Sequence, residues 1–136
     1  MGEILDAIKK GWENAKFTKG TLCVREDEAV CLCVVGAWYY GKTGELPPIE
    51  LIVYDSTFAH AAEKNQADID RVYTAFNKEL SDQNVEWNPI WLGKEVGYVV
   101  LNNPPKIGYG EFYRVNDLEP NKEVVLEELS RRFVNI

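Results

Sequence analysis

Val30-Cys31-Leu32-Cys33-Val34-Val35-Gly36-Ala37-Trp38-Tyr39-Tyr40 lies within the longest uncharged run of the chain. Read as a helix, it is apolar on every side. Read as a strand, it is apolar on both faces. In either conformation such a segment belongs in the middle of a domain. Its valines and cysteines favour a strand, but strand propensity yields readily to tertiary context. Gly36 and Ala37 allow a neighbouring element to come close, with Trp38, Tyr39 and Tyr40 filling the space beside them.

Working outward, Gly41-Lys42-Thr43-Gly44-Glu45 and Pro47-Pro48 break the chain after this run. Before it stand a charged turn, Arg25-Glu26-Asp27-Glu28, and a short extended piece from Thr21 to Val24. Further upstream, Glu3 to Ala15 reads as an amphipathic helix. Ile4, Leu5, Ile8, Trp12 and Ala15 fall on one side of it, and Phe17-Thr18-Lys19-Gly20 closes the unit. Downstream, Ile49 to Tyr54 is open between a strand and the start of a helix. Asp68 to Asp82 is a helix whose stripe is Ile69, Val72, Tyr73, Phe76 and Leu80. Residues 84–110 are irregular and rich in rings. Within and beyond them, 98–101 and 111–115 read as an antiparallel strand pair across a turn-rich connection. Pro120 cannot sit inside a helix and Asn121 is a good cap, so the last helix runs from Lys122 to Phe133. It places Val125, Leu126, Leu129 and Phe133 inward. Glu127 with Arg131 and Glu128 with Arg132 are spaced for surface pairing.

The 136 residues fit one globular domain, 1–136. With 46% hydrophobic and 27% charged residues the composition is that of an ordinary folded protein. No run approaches the roughly 20 apolar residues of a membrane span. Glu3 and Asp6 stand where a signal peptide carries basic residues, so the expected compartment is the cytoplasm. The three cysteines are odd in number and not spaced as a secreted disulfide framework. A formal net charge of −7 argues against direct binding to nucleic acid or to an anionic membrane, where affinity comes from neutralising phosphates. It permits a partner with a basic groove. The plainer reading is that the acids keep the protein soluble.

Three patterns could carry chemistry. Gly36-Ala37-Trp38-Tyr39-Tyr40-Gly41-Lys42-Thr43 formally fits the phosphate-loop spacing, but such loops are small and polar where this one is aromatic. Cys23, Cys31, Cys33 and His60 contain the donor types of a zinc site, although a free cysteine is commonly a small buried hydrophobe. Cys31 or Cys33 with His60, the sole histidine, would make a nucleophile and base. Against this, burial raises a thiol pKa and suppresses its reactivity. No catalytic residue, metal ligand or cofactor is therefore assigned. The residues assigned to a partner are acids and rings of the irregular region and its neighbouring helix. They are Asp68, Asp70, Glu79, Glu86, Trp87, Trp91, Glu95 and Tyr109, on the principle that acids steer and aromatics anchor.

Three segments in order carry a resemblance. Phe17-Thr18-Lys19-Gly20-Thr21-Leu22-Cys23-Val24-Arg25 resembles an aromatic-Thr-Gln-Gly segment leading to Arg-Asp. Leu32-Cys33-Val34-Val35-Gly36-Ala37 resembles Trp-Cys-x-x-Gly-Ala. Arg114-Val115-Asn116-Asp117, followed by Glu123-Val124-Val125-Leu126, resembles a Trp-Asn-Asp turn before a Glu-Val-Leu helix. That succession is similar to an uncharacterised domain family of phages and bacteria, notably actinobacteria. Here Phe17, Leu32 and Val115 stand for the family's Trp and Lys19 for its Gln. The resemblance implies a predominantly helical α+β fold, with about four helices around a buried central helix at 29–41. It also implies a phage or mobile-element context. The expected function is that of a non-enzymatic accessory protein in the host cytoplasm that binds a host protein, for instance as an inhibitor of a nucleic-acid-binding defence factor. The competing expectation is a small cysteine-dependent enzyme or nucleotide-binding protein.

Overall fold

The computed structural model describes residues 2–26, 29–49, 56–96, 104 and 106–136, with side chains at all of them except 26, 56–65, 95 and 96. The fold is predominantly helical α+β. Helix α1 (Glu3–Trp12) is followed by strands β1 (Lys16–Phe17), β2 (Cys23–Glu26) and β3 (Ala29–Leu32), then by helices α2 (Val34–Thr43) and α3 (Ser56–Asp82). Strand β4 (Glu86–Trp87) leads into a short helical turn, α4 (Pro89–Trp91), and a π-helical turn over Leu92–Val96. Helices α5 (Tyr109–Leu118) and α6 (Lys122–Arg132) and strand β5 (Phe133–Val134) complete the described elements. In the first sheet β3 lies between β1, to which it is parallel, and β2, to which it is antiparallel. The second sheet pairs β4 with β5, Trp87 opposite Phe133.

The uncharged run is central and buried, and it changes conformation part-way along. Expected as one helix over 29–41, it begins as β3, where Val24 pairs with Cys31 and Arg25 with Val30. Cys33 then caps α2: its backbone is extended and its sulfur accepts from the Gly36 N–H at 3.4 Å. The strand survives because β1 and β2 satisfy its backbone from both sides, and the helix starts where that pairing ends. Val34 to Trp38 are all buried.

Helix α2 packs on α1 through glycine. A Cβ at Gly11 would overlap the Ala37 carbonyl, and one at Gly41 the Ala7 carbonyl. Gly36 is pressed in the same way against the Leu22 carbonyl, where the strand layer meets α2. Close backbone approach is thus the reason for these glycines. Around the pair, Ile4, Ile8, Trp12, Val35, Phe76, Phe112, Val125 and Leu129 belong to one core cluster. The Trp12 indole N–H donates to the Leu32 carbonyl at 2.9 Å, giving the buried ring a polar partner. Lys122 donates to the carbonyls of Trp12 and Ala15, a cation at the carbonyl end of α1.

The expected strand at 111–115 is a helix. Phe112, Val115 and Asn116 of α5 are buried together, at helical rather than alternating spacing. Its proposed strand partner, 98–101, lies outside the described residues. Asn116 explains much of the departure, because a buried polar residue occupies the core-facing stripe. Its Oδ1 accepts from Val34 N–H at 2.9 Å, and its Nδ2 donates to the Thr18 carbonyl at 3.0 Å. Asp117 beside it accepts from Gly20 N–H at 2.9 Å. Read as a turn before the last helix, Asn116-Asp117 instead lies inside α5 and ties it to the start of α2 and to the loop at Thr18–Gly20. The last helix starts as expected, with the Asn121 side chain accepting from Val124 N–H at 3.0 Å, but it ends at Arg132, and Phe133, expected as its last residue, begins β5.

Candidate functional site

On the side of α3 lined by its last turns, the chain forms a groove of about 740 Å3. One wall is β4. The chain leaves α3 through Asn84, whose φ of 53° is left-handed, and Val85 N–H returns to the Leu80 carbonyl at 3.0 Å. This reversal lays Glu86 and Trp87 against β5. Asn88 then does three things. Its N–H donates to the Arg132 carbonyl at 2.8 Å, its Oδ1 accepts from Ile90 N–H at 3.0 Å, and its Nδ2 donates to the Arg131 carbonyl at 3.0 Å. Pro89 follows at the first helical position, where its missing donor is harmless. Held in this way, Trp91 stacks on Trp87 at 5.1 Å with planes 11° apart.

Rings connect this wall to the core. Trp87 lies 4.8 Å from Phe133, Phe133 is 4.9 Å from Phe112, and Phe112 is 4.9 Å from Phe76. On the outer side the Arg132 guanidinium sits 5.2 Å over the Trp91 ring, a cation–π arrangement. Glu128 holds Arg132 at 3.1 Å and Arg131 at 2.7 Å. The hydrogen bond from Arg131, followed by that from Arg132, keeps the Glu128 carboxyl below the usual carboxylate range despite its burial.

The opposite wall is the segment from Lys106 to Gly110. Asn77 of α3 fixes it. Its Oδ1 accepts from Tyr109 N–H at 2.8 Å, capping α5 from another helix, since Gly108 offers no side-chain cap. The Tyr109 ring, 40% exposed, packs 4.5 Å from Tyr73. Tyr73 and Tyr113 share a hydroxyl hydrogen bond of 2.5 Å, and the Cys33 thiol donates to the Tyr113 oxygen at 3.3 Å. Burial above all, then the neighbouring Cys33 sulfur and Tyr73, raises the Tyr113 phenol pKa far above its ordinary value.

The groove thus brings together Glu86, Trp87 and Tyr109 of the residues assigned to a partner, with Trp91 stacked on Trp87. Glu95 belongs to the π-helical turn, and its side chain lies outside the described residues. Asp68 and Asp70 are exposed on α3, where Arg71 pairs with Asp68 at 2.8 Å and Gln66 donates to Asp70 at 2.9 Å. Glu79 does not belong with them. It is 9% exposed and forms an ion pair with Lys42 of α2 at 2.5 Å. The reason is its place on α3, one turn beyond Phe76 and two beyond Val72, on the side packed against α2. Asn77, Lys106 and Ile107 line the groove and were not singled out from the sequence. Their joint presence depends on contacts between α3 and a segment about 30 residues later.

The parts of the other chemical patterns that lie within the described residues are packed into the fold. Gly36 to Thr43 is helix α2, so its amides point along a helix and form no phosphate-cradling loop. Cys23 pairs with Leu32 and Cys31 with Val24, which sets Cys23 and Cys31 on opposite sheet faces. Among the described residues no three His, Cys, Asp or Glu side chains are grouped to hold a metal. Cys33 is fully buried and serves as a helix cap, while the side chain of His60 lies outside the described residues. Among the described residues no helix is long and apolar enough to cross a membrane. The chain matches no protein-family model, no curated protein and no solved structure.

Proposed function

We propose that this is a binding protein: a non-enzymatic accessory protein of a phage or mobile element that acts on a host protein through the groove between β4 and residues 106–110. An inhibitor seated in the basic nucleic-acid channel of a defence factor is the form that fits its charge. The observation that carries the reading is the convergence of Glu86, Trp87 and Tyr109 on one groove, with Trp91 stacked behind and Ile90 67% exposed beside it. A rigidly supported tryptophan at a concave surface, as Trp87 is here, is among the residue types that most often anchor protein interfaces. The net charge of −7 supports a basic partner, and the family resemblance supports the phage context.

The test is capture of a partner from bacterial lysate by immobilised protein. Glu86→Lys and Trp87→Ala are compared with the exposed control Glu127→Lys on α6, each shown to be folded by its melt. The expected result is a specific protein retained by wild type and by Glu127→Lys. Its affinity falls by on the order of tenfold or more in Trp87→Ala, as for a truncated interface anchor. Capture that survives in both folded groove variants would remove the groove from the account.

A further inference from the structure

Two charges line the groove without meeting each other. Glu86 stands on the β4 wall and Lys106 on the facing wall, and both are exposed. Neither has an ion-pair partner among the described residues. On α3, by contrast, Lys78 pairs with Asp82 at 2.8 Å and Arg71 with Asp68. The rest of the lining includes the apolar side chains of Leu80, Val85 and Ile107 and the rings of Trp87 and Tyr109. A groove of about 740 Å3 takes only a few residues, since a single helical turn with side chains, about 10–12 Å across and 5.4 Å long, already fills on the order of 500 Å3. It suits a few residues of extended chain, whose side chains alternate between the two walls.

From this we infer that the groove receives a short extended peptide segment of mixed charge, with a basic residue beside Glu86, an acidic residue beside Lys106 and apolar residues between them against Trp87 and Tyr109. This rests on the protein-binding reading above and names the part of the partner that is read. Apolar contact supplies the affinity. The two charges fix which segment is accepted, because a like charge at either wall is rejected.

The probe is a set of four end-blocked synthetic tetrapeptides sharing a Val-Leu centre, so that the first and last side chains of the extended chain fall on opposite faces. Their outer residues are both lysine, both glutamate, one of each, or both glutamine. Binding to wild type, Glu86→Lys and Lys106→Glu is followed by tryptophan fluorescence and by amide shifts of Ser81, Glu86 or its replacement, and Ile107. Wild type should prefer the mixed peptide. Glu86→Lys should prefer the acidic peptide, and Lys106→Glu the basic one. Each matched charge should contribute roughly two- to fivefold at low salt, the range of exposed ion pairs. Should either reversal fail to fold, Glu86→Gln and Lys106→Gln replace them, and each should lose its own charge preference alone. The same peptide ranking in every variant, shifts confined to residues outside the groove, or no binding of any peptide would each overturn the inference. Groove-dependent capture of a lysate protein with no peptide selectivity would sink this inference and leave the binding function standing. Peptide selectivity without groove-dependent capture would do the reverse.

Discussion

The α1–α2 side of the molecule and the β4–α5 side use buried residues in opposite ways. On the first, backbones meet through Gly11, Gly36 and Gly41, and the polar groups of the junction answer one another. Asn116 takes Val34 N–H and the Thr18 carbonyl, and Lys122 takes the last carbonyls of α1. On the second, rings step outward from Phe76 through Phe112, Phe133 and Trp87 to Trp91, and the surface is left concave with opposed charges. The Trp91 indole N–H and the Arg132 Nε are buried there with no hydrogen-bond partner among the described residues, and so is the Trp38 indole N–H of α2, so the contrast lies in the ring stack and the open surface. One side is closed on itself. The other is held stiff and left open, which is the condition for a preorganised binding surface.

If the first side is a scaffold with no slack, Gly36→Leu should be among the most damaging changes in the protein, alongside the same change at Gly11 or Gly41. Overpacking a core typically costs about 1–3 kcal/mol, and a side chain driven into a backbone carbonyl has no flexible neighbour to displace. No cooperative thermal transition is expected, and a wild-type melt would break the contrast at once. Asn116→Ala comes next, at about 2–3 kcal/mol, because it strands a fully buried N–H of α2. Asp117→Ala, exposed and holding Gly20 N–H, should cost about 0.5–1 kcal/mol. Urea melts of the two variants check the ratio, and equal losses would mean that the junction is not organised around Asn116.

The Tyr113 phenol offers a finer probe of the boundary between the two sides. Its pKa is raised in the fold by burial, whereas an unfolded tyrosine titrates near 10. Its stabilising contribution is therefore complete below about pH 10 and is lost as pH rises beyond it, since the unfolded chain ionises first. Urea midpoints should fall more steeply with alkaline pH in wild type than in Tyr113→Phe. Parallel pH profiles would show that the Cys33–Tyr113–Tyr73 chain is not closed against water.

Much of the first side was legible in the sequence. The apolar run announced its burial, the stripe Ile69, Val72, Phe76 and Leu80 its helix, and Pro120-Asn121 the start of the last helix. The switch from β3 to α2 was not legible. Where every residue is apolar, neither a period of two nor one of 3.6 can be read. The signal that ends the strand is a cysteine cap, outside the usual cap residues. Residues 111–115 misled because the core stripe of α5 contains Asn116 and because its cap is Asn77, distant in sequence. The aromatic residues of the groove were legible from their clustering among glycines and prolines. Lys106 was not, because only the fold brings it to the groove that Glu86 also lines. Glu79 was readable in retrospect, since it continues the spacing of Val72 and Phe76.

The central claim is that the β4–α5 side binds and the α1–α2 side supports. It is tested most directly by the association rate of the captured partner with wild type and with Glu86→Lys, measured across a salt series. Exposed charges are screened beyond about 8 Å at physiological ionic strength, so steering by this acidic protein must weaken as salt rises. Wild type should associate more slowly at each higher salt. Glu86→Lys should start slower, vary less with salt and melt at the wild-type temperature. Association rates that ignore both salt and the reversal would contradict the account.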